Sequence, residues 1–379
     1  MTPVTADPLV ALLADLVAIP SQNPMGRNKS GAEYSEGAMA AYVAAYLKRH
    51  GVETEFYEIA PGRPNVIGHC DAGAKETLIL EAHLDTVHAE GMTIPPFVPE
   101  IRDGRLYGRG ACDTKGSLAA FLHAVCGAGK PVRGRRFNVI LAAVADEEYQ
   151  FGGAQQVVAR GARADMAIVG EPTQLHIVRA HKGVVRWRIG TSGVTAHSAY
   201  PERGTNAIYS MGHVLERLES YAAAMREIPP HPVLGSPSLS VGIIEGGQAV
   251  NVVPDRCMIE VDRRTLPGET TDSVLAHVRD ALRGIDGWTF EPPHLAASGL
   301  DIPADHPLVA VLSAAIRQET GTVAVEAAQY ATDAGVYARA GIPAVVFGPG
   351  SIAQAHTKDE WIDLGELAQA SRIIQTLIA

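Results

Sequence analysis

Four apolar runs in this chain stop on groups with which a buried strand does not ordinarily end. "LILEAHLDTVH" runs out on His83 and Asp85, and "LAAVADEEYQFGG" on Asp146, Glu147 and Glu148. "MAIVGEPT" ends on Glu171, and "PAVVFGPGSIAQAH" passes through a glycine-rich loop to His356. Continuous apolar runs of this kind fit strands covered on both faces, as in a parallel sheet flanked by helices. Helical patterns lie between them: "SEGAMAAYVAAYLKRHG" from about Ser35 to His50 with Gly51 as its stop, "TKGSLAAFLHAVCGAG", "HPLVAVLSAAIRQETG", "TDAGVYARAG", and a terminal helix from about Leu364. The expectation is an α/β fold. In open sheets of that class, ligands bind outside the carboxyl ends of the strands.

The stretch from about 182 to 293 follows a different grammar. "VVRWRIGTS" and "RCMIEVDRRT" alternate polar and apolar residues, as half-exposed strands do. With the helix "NAIYSMGHVLERLESYAAAM", the strand "SLSVGIIEGG", the helix "TDSVLAHVRDALRG" and the short strand "WTFEPP", they give a β-α-β-β-α-β order. That is the pattern of a ferredoxin-like α+β module. The organisation expected is therefore an α/β domain over 1–181 and 294–379, interrupted by an inserted module over 182–293; 379 residues are ample for both.

Charge narrows the partners. The formal net charge of −10 argues against nucleic acid or an anionic membrane, because both need a basic face. No apolar stretch approaches the ~20 residues needed to span a bilayer. The N-terminal "MTPVTADPLVALLADLVAIPS" has no basic leader, and its Leu9, Leu12, Leu13, Leu16 and Val17 follow helical spacing, so it reads as an amphipathic helix and not a signal peptide. Cys70, Cys112, Cys126 and Cys257 show no CxxC spacing and read as free thiols of a reducing compartment. A cytoplasmic protein is expected.

Taken singly, the polar strand ends say little. A lone histidine such as His83 is more often structural, and Asp113 in "YGRGACDTKG", just ahead of a helix, reads as an N-cap. The Gly-x-Gly of that segment lacks a third glycine and follows a hairpin-like "IRDGRLYG", so it is not a dinucleotide loop. Adjacent glutamates at a buried strand end repel, at a cost of about 1–3 kcal/mol or more unless something neutralises them. Together, two histidines and three carboxylates form an N/O donor set suited to a pair of zinc ions, with manganese or cobalt as other candidates. A shared carboxylate would hold two such ions about 3.5–4 Å apart.

These motifs resemble the M20 metallopeptidase family of dinuclear zinc aminoacylases, deacetylases, desuccinylases and carboxypeptidases. The family's H-x-D-x-V is present as "HLDTV", its G-x-G-x-x-D-x-K-G as "GRGACDTKG", its glutamate pair as "DEE", and its last two ligand segments as "GEPT" and "GPGSIAQAHTKDE", in order and over nearly the whole chain. The resemblance implies a zinc-peptidase-like three-layer α/β/α catalytic domain whose insertion is a dimerisation or lid domain, and hence a homodimer. It also implies that His83 and Glu171 hold one zinc, Glu148 and His356 the other, with Asp113 bridging and followed by a cis peptide bond. Asp85 would orient His83, and Glu147 would be the general base. His197 in "GVTAHSAYPERGTNAI" would reach the active site of the other subunit and stabilise the oxyanion. Asn251 in "AVNVVPDR" and Arg264 in "VDRRTLPG" would bind the substrate carboxylate. Strand alternation puts Arg263 on the face opposite Arg264, so at most one of the two serves the site.

The reaction implied is hydrolysis of the amide of a small N-acyl amino acid. "EPTQLHIVRAHKG" and "GPGSIAQAHTKDEW" are most similar to the acetylornithine deacetylase branch of the family, which serves arginine biosynthesis, whereas "AAQYATDAGVYARAG" is similar to the general deacylase pattern. A desuccinylase, a broad aminoacylase or a carboxypeptidase shares the same chemistry. A non-catalytic amino-acid or metal binding protein on this fold would gain nothing from an unliganded Glu147 beside Glu148.

Overall fold

The computed structural model describes residues 7–127 and 133–379. Residues 1–6 of the N-terminal segment, and 128 and 129 at the end of the expected helix "TKGSLAAFLHAVCGAG", lie outside them. The chain divides into two compact units, one of Met1–Arg179, Ile302–Glu326 and Thr332–Ala379, the other of Ala180–Asp301 with Ala327–Ala331.

In the first unit the main sheet runs Glu53–Ala60, Arg63–Cys70, Phe137–Val144, Glu76–His83, Met166–Val169, Ala344–Val346, Ile177–His181. Its four middle strands, from Phe137–Val144 to Ala344–Val346, are mutually parallel. They are also the four apolar runs of the sequence. His83 lies opposite Val144, and Val169 opposite both Glu81 and Val346, so all four strands finish at one edge. Leu78, Ile79, Leu80, Leu141, Ile168 and Val345 are buried along their length. Each such side chain contributes roughly 1.5–3 kcal/mol on leaving water.

Helices Pro8–Val17, Lys115–Cys126, Pro307–Thr320 and Leu364–Ile378 pack in a chain of neighbours, while Gly152–Ala159 packs against Ala334–Arg339. Their ends follow ordinary capping chemistry: the Asp7 carboxylate accepts from the Leu9 N–H at 2.9 Å, and Asp363 from Gly365 and Glu366 at 2.8 and 3.0 Å. The helix after "GACD" does not use Asp113 as a cap. It starts at Lys115 with Thr114 in the cap position and no side-chain cap, which leaves the Asp113 carboxylate for other work. The "IRDGRLYG" segment is an antiparallel hairpin, Glu100–Arg102 with Arg105–Tyr107, extended by Trp361–Asp363. Among the described residues no helix is long and apolar enough to cross a membrane, and all four cysteines are free thiols.

The second unit has the β-α-β-β-α-β order: Gly183–Ser192, Ala207–Arg226, Ser238–Gly246, Arg256–Thr265, Thr271–Ala281 and Trp288–Phe290. Its sheet order, Ser238–Gly246, Arg256–Thr265, Gly183–Ser192, Trp288–Phe290, is antiparallel throughout. Buried and partly exposed residues alternate along Arg256–Thr265, and Trp187, Ile259, Val261, Met211, Val214 and Val278 form its core. Its boundaries differ from the expected 182 and 293. Leu295–Ala297 pairs with Gly183–Ser192, and Leu300–Asp301 with Ala180 and His181, so the chain leaves this unit later than its last helix and strand suggest.

Candidate metal centre

The parallel edge gathers seven of the expected residues: His83, Asp85, Asp113, Glu147, Glu148, Glu171 and His356. Asp113 lies between the two imidazoles. Its Oδ1 is 3.1 Å from His83 Nε2 and its Oδ2 3.3 Å from His356 Nε2. Glu171 Oε1 lies 3.8 Å from the same His83 nitrogen, and Glu148 Oε2 3.1 Å from that of His356. One carboxylate thus offers an oxygen to each of two donor sets, His83 with Glu171 and His356 with Glu148. Glu147 adds an oxygen within 4.8 Å of the donor atoms of His83 and Glu171. The peptide bond after Asp113 is cis, and the Thr114 hydroxyl donates to the Gly170 carbonyl at 2.6 Å, next to Glu171.

The tautomer of His83 follows from its other nitrogen. Nδ1 is 2.8 Å from the Asp85 backbone carbonyl, to which it can only donate, so the neutral ring keeps its lone pair on Nε2. The Asp85 carboxylate, expected to orient the ring, is 3.7 Å from Nδ1 and serves elsewhere. It accepts from the backbone N–H groups of Glu147 and Glu148 at 3.2 and 3.1 Å and from the Asn23 amide at 2.8 Å. Asp85 therefore orients His83 through its main chain and the glutamate pair through its side chain. The main chain reaches the ring because the polypeptide turns directly after the strand.

The electrostatics call for cations. Burial pushes the carboxyls of Glu147 and Glu171 well above their usual range, and like charges push further: Glu171 on Glu147, Asp113 on Glu171. Burial also raises Glu148. Burial would raise Asp113 too, but hydrogen bonds from His356 and His83 outweigh it and hold it well below the usual carboxylate range. Burial would lower the buried His83, yet Asp113 and the neighbouring acids raise it; Asp113 and Glu148 push His356 up to about 11. Four carboxylates facing two imidazoles demand positive charge, and with neutral rings two divalent ions balance them. Nitrogen and oxygen donors in two sets sharing one carboxylate fit such a pair.

Three supporting residues lie outside the expected set. Asn23 donates to Asp85 and, at 3.0 Å, to Asp146, whose carboxylate also takes Arg63 Nη1 at 3.0 Å. Arg63 in turn pairs with the buried Glu36. Glu360 accepts from the backbone of the 110–113 turn. The remaining expected residues belong to the second unit. His197 bridges Val252, and the Ser198 N–H donates to the Asn251 carbonyl at 3.0 Å, so the exposed His197 and Asn251 are neighbours. The Arg264 guanidinium rests on Asp262 of its own strand at 2.9 and 3.4 Å. Arg263 is buried on the other face and pairs with Glu269 at 2.7 Å, as alternation requires.

The profile of "Peptidase family M20/M25/M40" matches residues 79–379. An acetylornithine deacetylase of Photorhabdus laumondii subsp. laumondii is 32% identical, covering 98% of this chain and 96% of its own. One of Myxococcus xanthus is 34% identical over 80% of each chain. Among solved structures, an M20 family metallo-carboxypeptidase from Sulfolobus solfataricus shares the fold with a TM-score of 0.78 at 19% identity, covering 98% of both chains. With its family profile matched along most of its length and relatives above 30% identity over 80–98% of it, the chain belongs to the M20/M25/M40 peptidase family and is a metal-dependent amidohydrolase.

Proposed function

We propose that the chain removes the acyl group from a small N-acyl amino acid, with an N-acetyl group as the acyl and N²-acetylornithine as the first substrate to test. The observation that carries the reaction is the placement of Asp113 between His83 and His356 with Glu147 alongside. The similarity to acetylornithine deacetylases supports the acyl group. His83 and Glu171 would hold one zinc ion, His356 and Glu148 a second, and Asp113 both; cobalt or manganese suits the same donors. When bound, the two ions lower the pKa of a water molecule and polarise the amide carbonyl.

Glu147 supplies the proton traffic. Its carboxylate takes the proton of the attacking water and returns it to the leaving nitrogen, a role that suits a carboxyl whose burial raises its proton affinity. Asp85 fixes the base by holding its backbone N–H. In the second unit, Asn251 and Arg264 are the candidates for the substrate carboxylate. His197 is the candidate oxyanion donor, acting in a second copy of the chain.

Release of free amine from a panel of acetyl-, succinyl- and peptidyl-amino acids, with and without chelator, tests the reading. The expected result is chelator-sensitive release from the acetyl substrates, N²-acetylornithine foremost. Preference for succinyl or dipeptide substrates would move the chain to another branch of the same chemistry. Silence across the panel with zinc present would leave a binding protein.

A further inference from the structure

Glu360 lies four residues beyond His356 and is fully buried. Its Oε1 accepts the backbone N–H groups of Cys112 at 2.9 Å and Asp113 at 3.0 Å. Its Oε2 accepts the N–H of Gly110 at 2.9 Å and Arg109 Nη1 at 2.7 Å. Arg109 is also buried, and its Nη2 donates to the His88 carbonyl at 3.1 Å. That loop matters to the site, because its Val87 N–H donates to Glu148 Oε1 at 3.2 Å. The Glu360 main chain joins the same turn through the Gly108 N–H, which donates to its carbonyl at 3.0 Å.

Two loops carrying donors for the His356 side of the centre, that of Asp113, which both donor sets share, and that of His356 itself, thus meet at one buried carboxylate, and Arg109 ties to it the 87–88 loop that holds Glu148. His83 ends the strand Glu76–His83 and Glu171 follows the strand Met166–Val169, and among the described residues no hydrogen bond joins either to Glu360. A charged acceptor taking two backbone N–H groups on one oxygen and an N–H plus a guanidinium on the other has no isosteric substitute, since an amide would turn one oxygen into a donor facing donors.

We propose that Glu360 is a positioning residue that sets the affinity of the centre for the ion held by His356 and Glu148. The proposal rests on the reading of the site as a two-ion centre. It acts through the Asp113 turn and through Arg109, and it touches no substrate.

The test is titration of the chelator-stripped full chain with Co²⁺, followed by calorimetry and by the visible absorption of bound cobalt, for the unaltered chain, Glu360→Gln and Glu360→Asp. The expected result is that one equivalent binds about 10–100-fold more weakly in Glu360→Gln, the usual scale for a group that orients ligands. Its absorption changes, while the other equivalent keeps its affinity and spectrum. Glu360→Asp, which retains the charge but draws it back from the turn, shows the same selective loss and stands in if the glutamine variant does not fold. Both equivalents binding as in the unaltered chain overturns the proposal. So does an equal loss of both accompanied by a lower melting temperature of the metal-free chain, or failure of both variants to fold, because Glu360 would then be a residue of the fold alone. An unaltered chain that takes up no cobalt overturns the two-ion reading itself, and the role of Glu360 with it.

Discussion

Asp146 sits in the left-handed region at φ 70°, which turns the chain sharply off the strand Phe137–Val144. Its carboxylate goes back to Asn23 and Arg63, while Glu148 faces His356 and Glu147 faces His83 and Glu171. Three acids in a row are tolerable because each has a different counterpart, and only one of them is left to move a proton. Glu147→Gln keeps the shape and removes the proton acceptor. It should lower kcat by about 10³–10⁴, at the upper end for general acid–base groups, with metal content per chain unchanged by elemental analysis. Substantial residual turnover would assign the base elsewhere. Asn23→Ala tests the support beneath. One amide nitrogen separates the buried acceptors of Asp85 and Asp146, so its loss should destabilise the metal-free chain by about 2–3 kcal/mol or more in urea unfolding. An unchanged midpoint would show that the two carboxylates do not depend on it.

At the level of elements, the four parallel strands were legible because strands buried on both faces read as unbroken apolar runs, and parallel order puts their polar ends at one edge. The supporting polar contacts were not legible, even for Glu360 inside the "GPGSIAQAHTKDE" motif, because the partners are distant along the chain: Asn23 and Asp85 are 62 residues apart, Arg63 and Asp146 83, Glu360 and Asp113 247. No local pattern marks such pairs. Which part of Asp85 meets the His83 ring was not legible for a related reason, since spacing alone does not tell a side chain from a main-chain carbonyl. The "GPG" loop shows the reverse case, a motif whose reason appears only in three dimensions. A Cβ on Gly348 would come 2.6 Å from the Glu171 carbonyl oxygen and 2.3 Å from Ser117 Oγ. Gly348→Ala must therefore shift the backbone of Glu171, and it should cost about 1–3 kcal/mol as overpacking does and, on the proposed donor set, weaken metal uptake as well. Gly212 gives the contrast: it is exposed within the helix Ala207–Arg226, with nothing near a built Cβ. Gly212→Ala should raise stability by about 0.5–1 kcal/mol through backbone entropy. Thermal melts check the two separately: a higher midpoint for Gly348→Ala would contradict the first argument, and a lower one for Gly212→Ala the second.

For the whole molecule, the open question is what covers the second unit's outer strand. Ser238–Gly246 is the edge of its sheet, so among the described residues one side of its backbone has no neighbour in the sheet order. A register shift between Val241 and Ile243 interrupts its pairing, and Ile243 and Ile244 stand exposed on adjacent positions. Tyr209 on the neighbouring helix is 74% exposed, and Val250 fully so. The register shift and the exposed Glu245 blunt this edge in part, but its exposed β-branched residues, with no lysine or proline among them, still leave it open to pairing with another strand. A second copy of this chain, presenting the same strand antiparallel, satisfies the symmetry of a two-fold interface. Sedimentation should show a dimer for the unaltered chain and a monomer for Ile244→Asp, whose carboxylate would be buried at the joint. The monomer then decides the part assigned to His197. If that imidazole serves the active site of the other copy, Ile244→Asp should bind two metal ions normally but turn over about 10²–10³-fold more slowly, the loss expected on removing one oxyanion donor. His197→Ala in the dimer should give the same loss, and combining the two changes should add nothing further. A fully active monomer would return the oxyanion contact to a single chain.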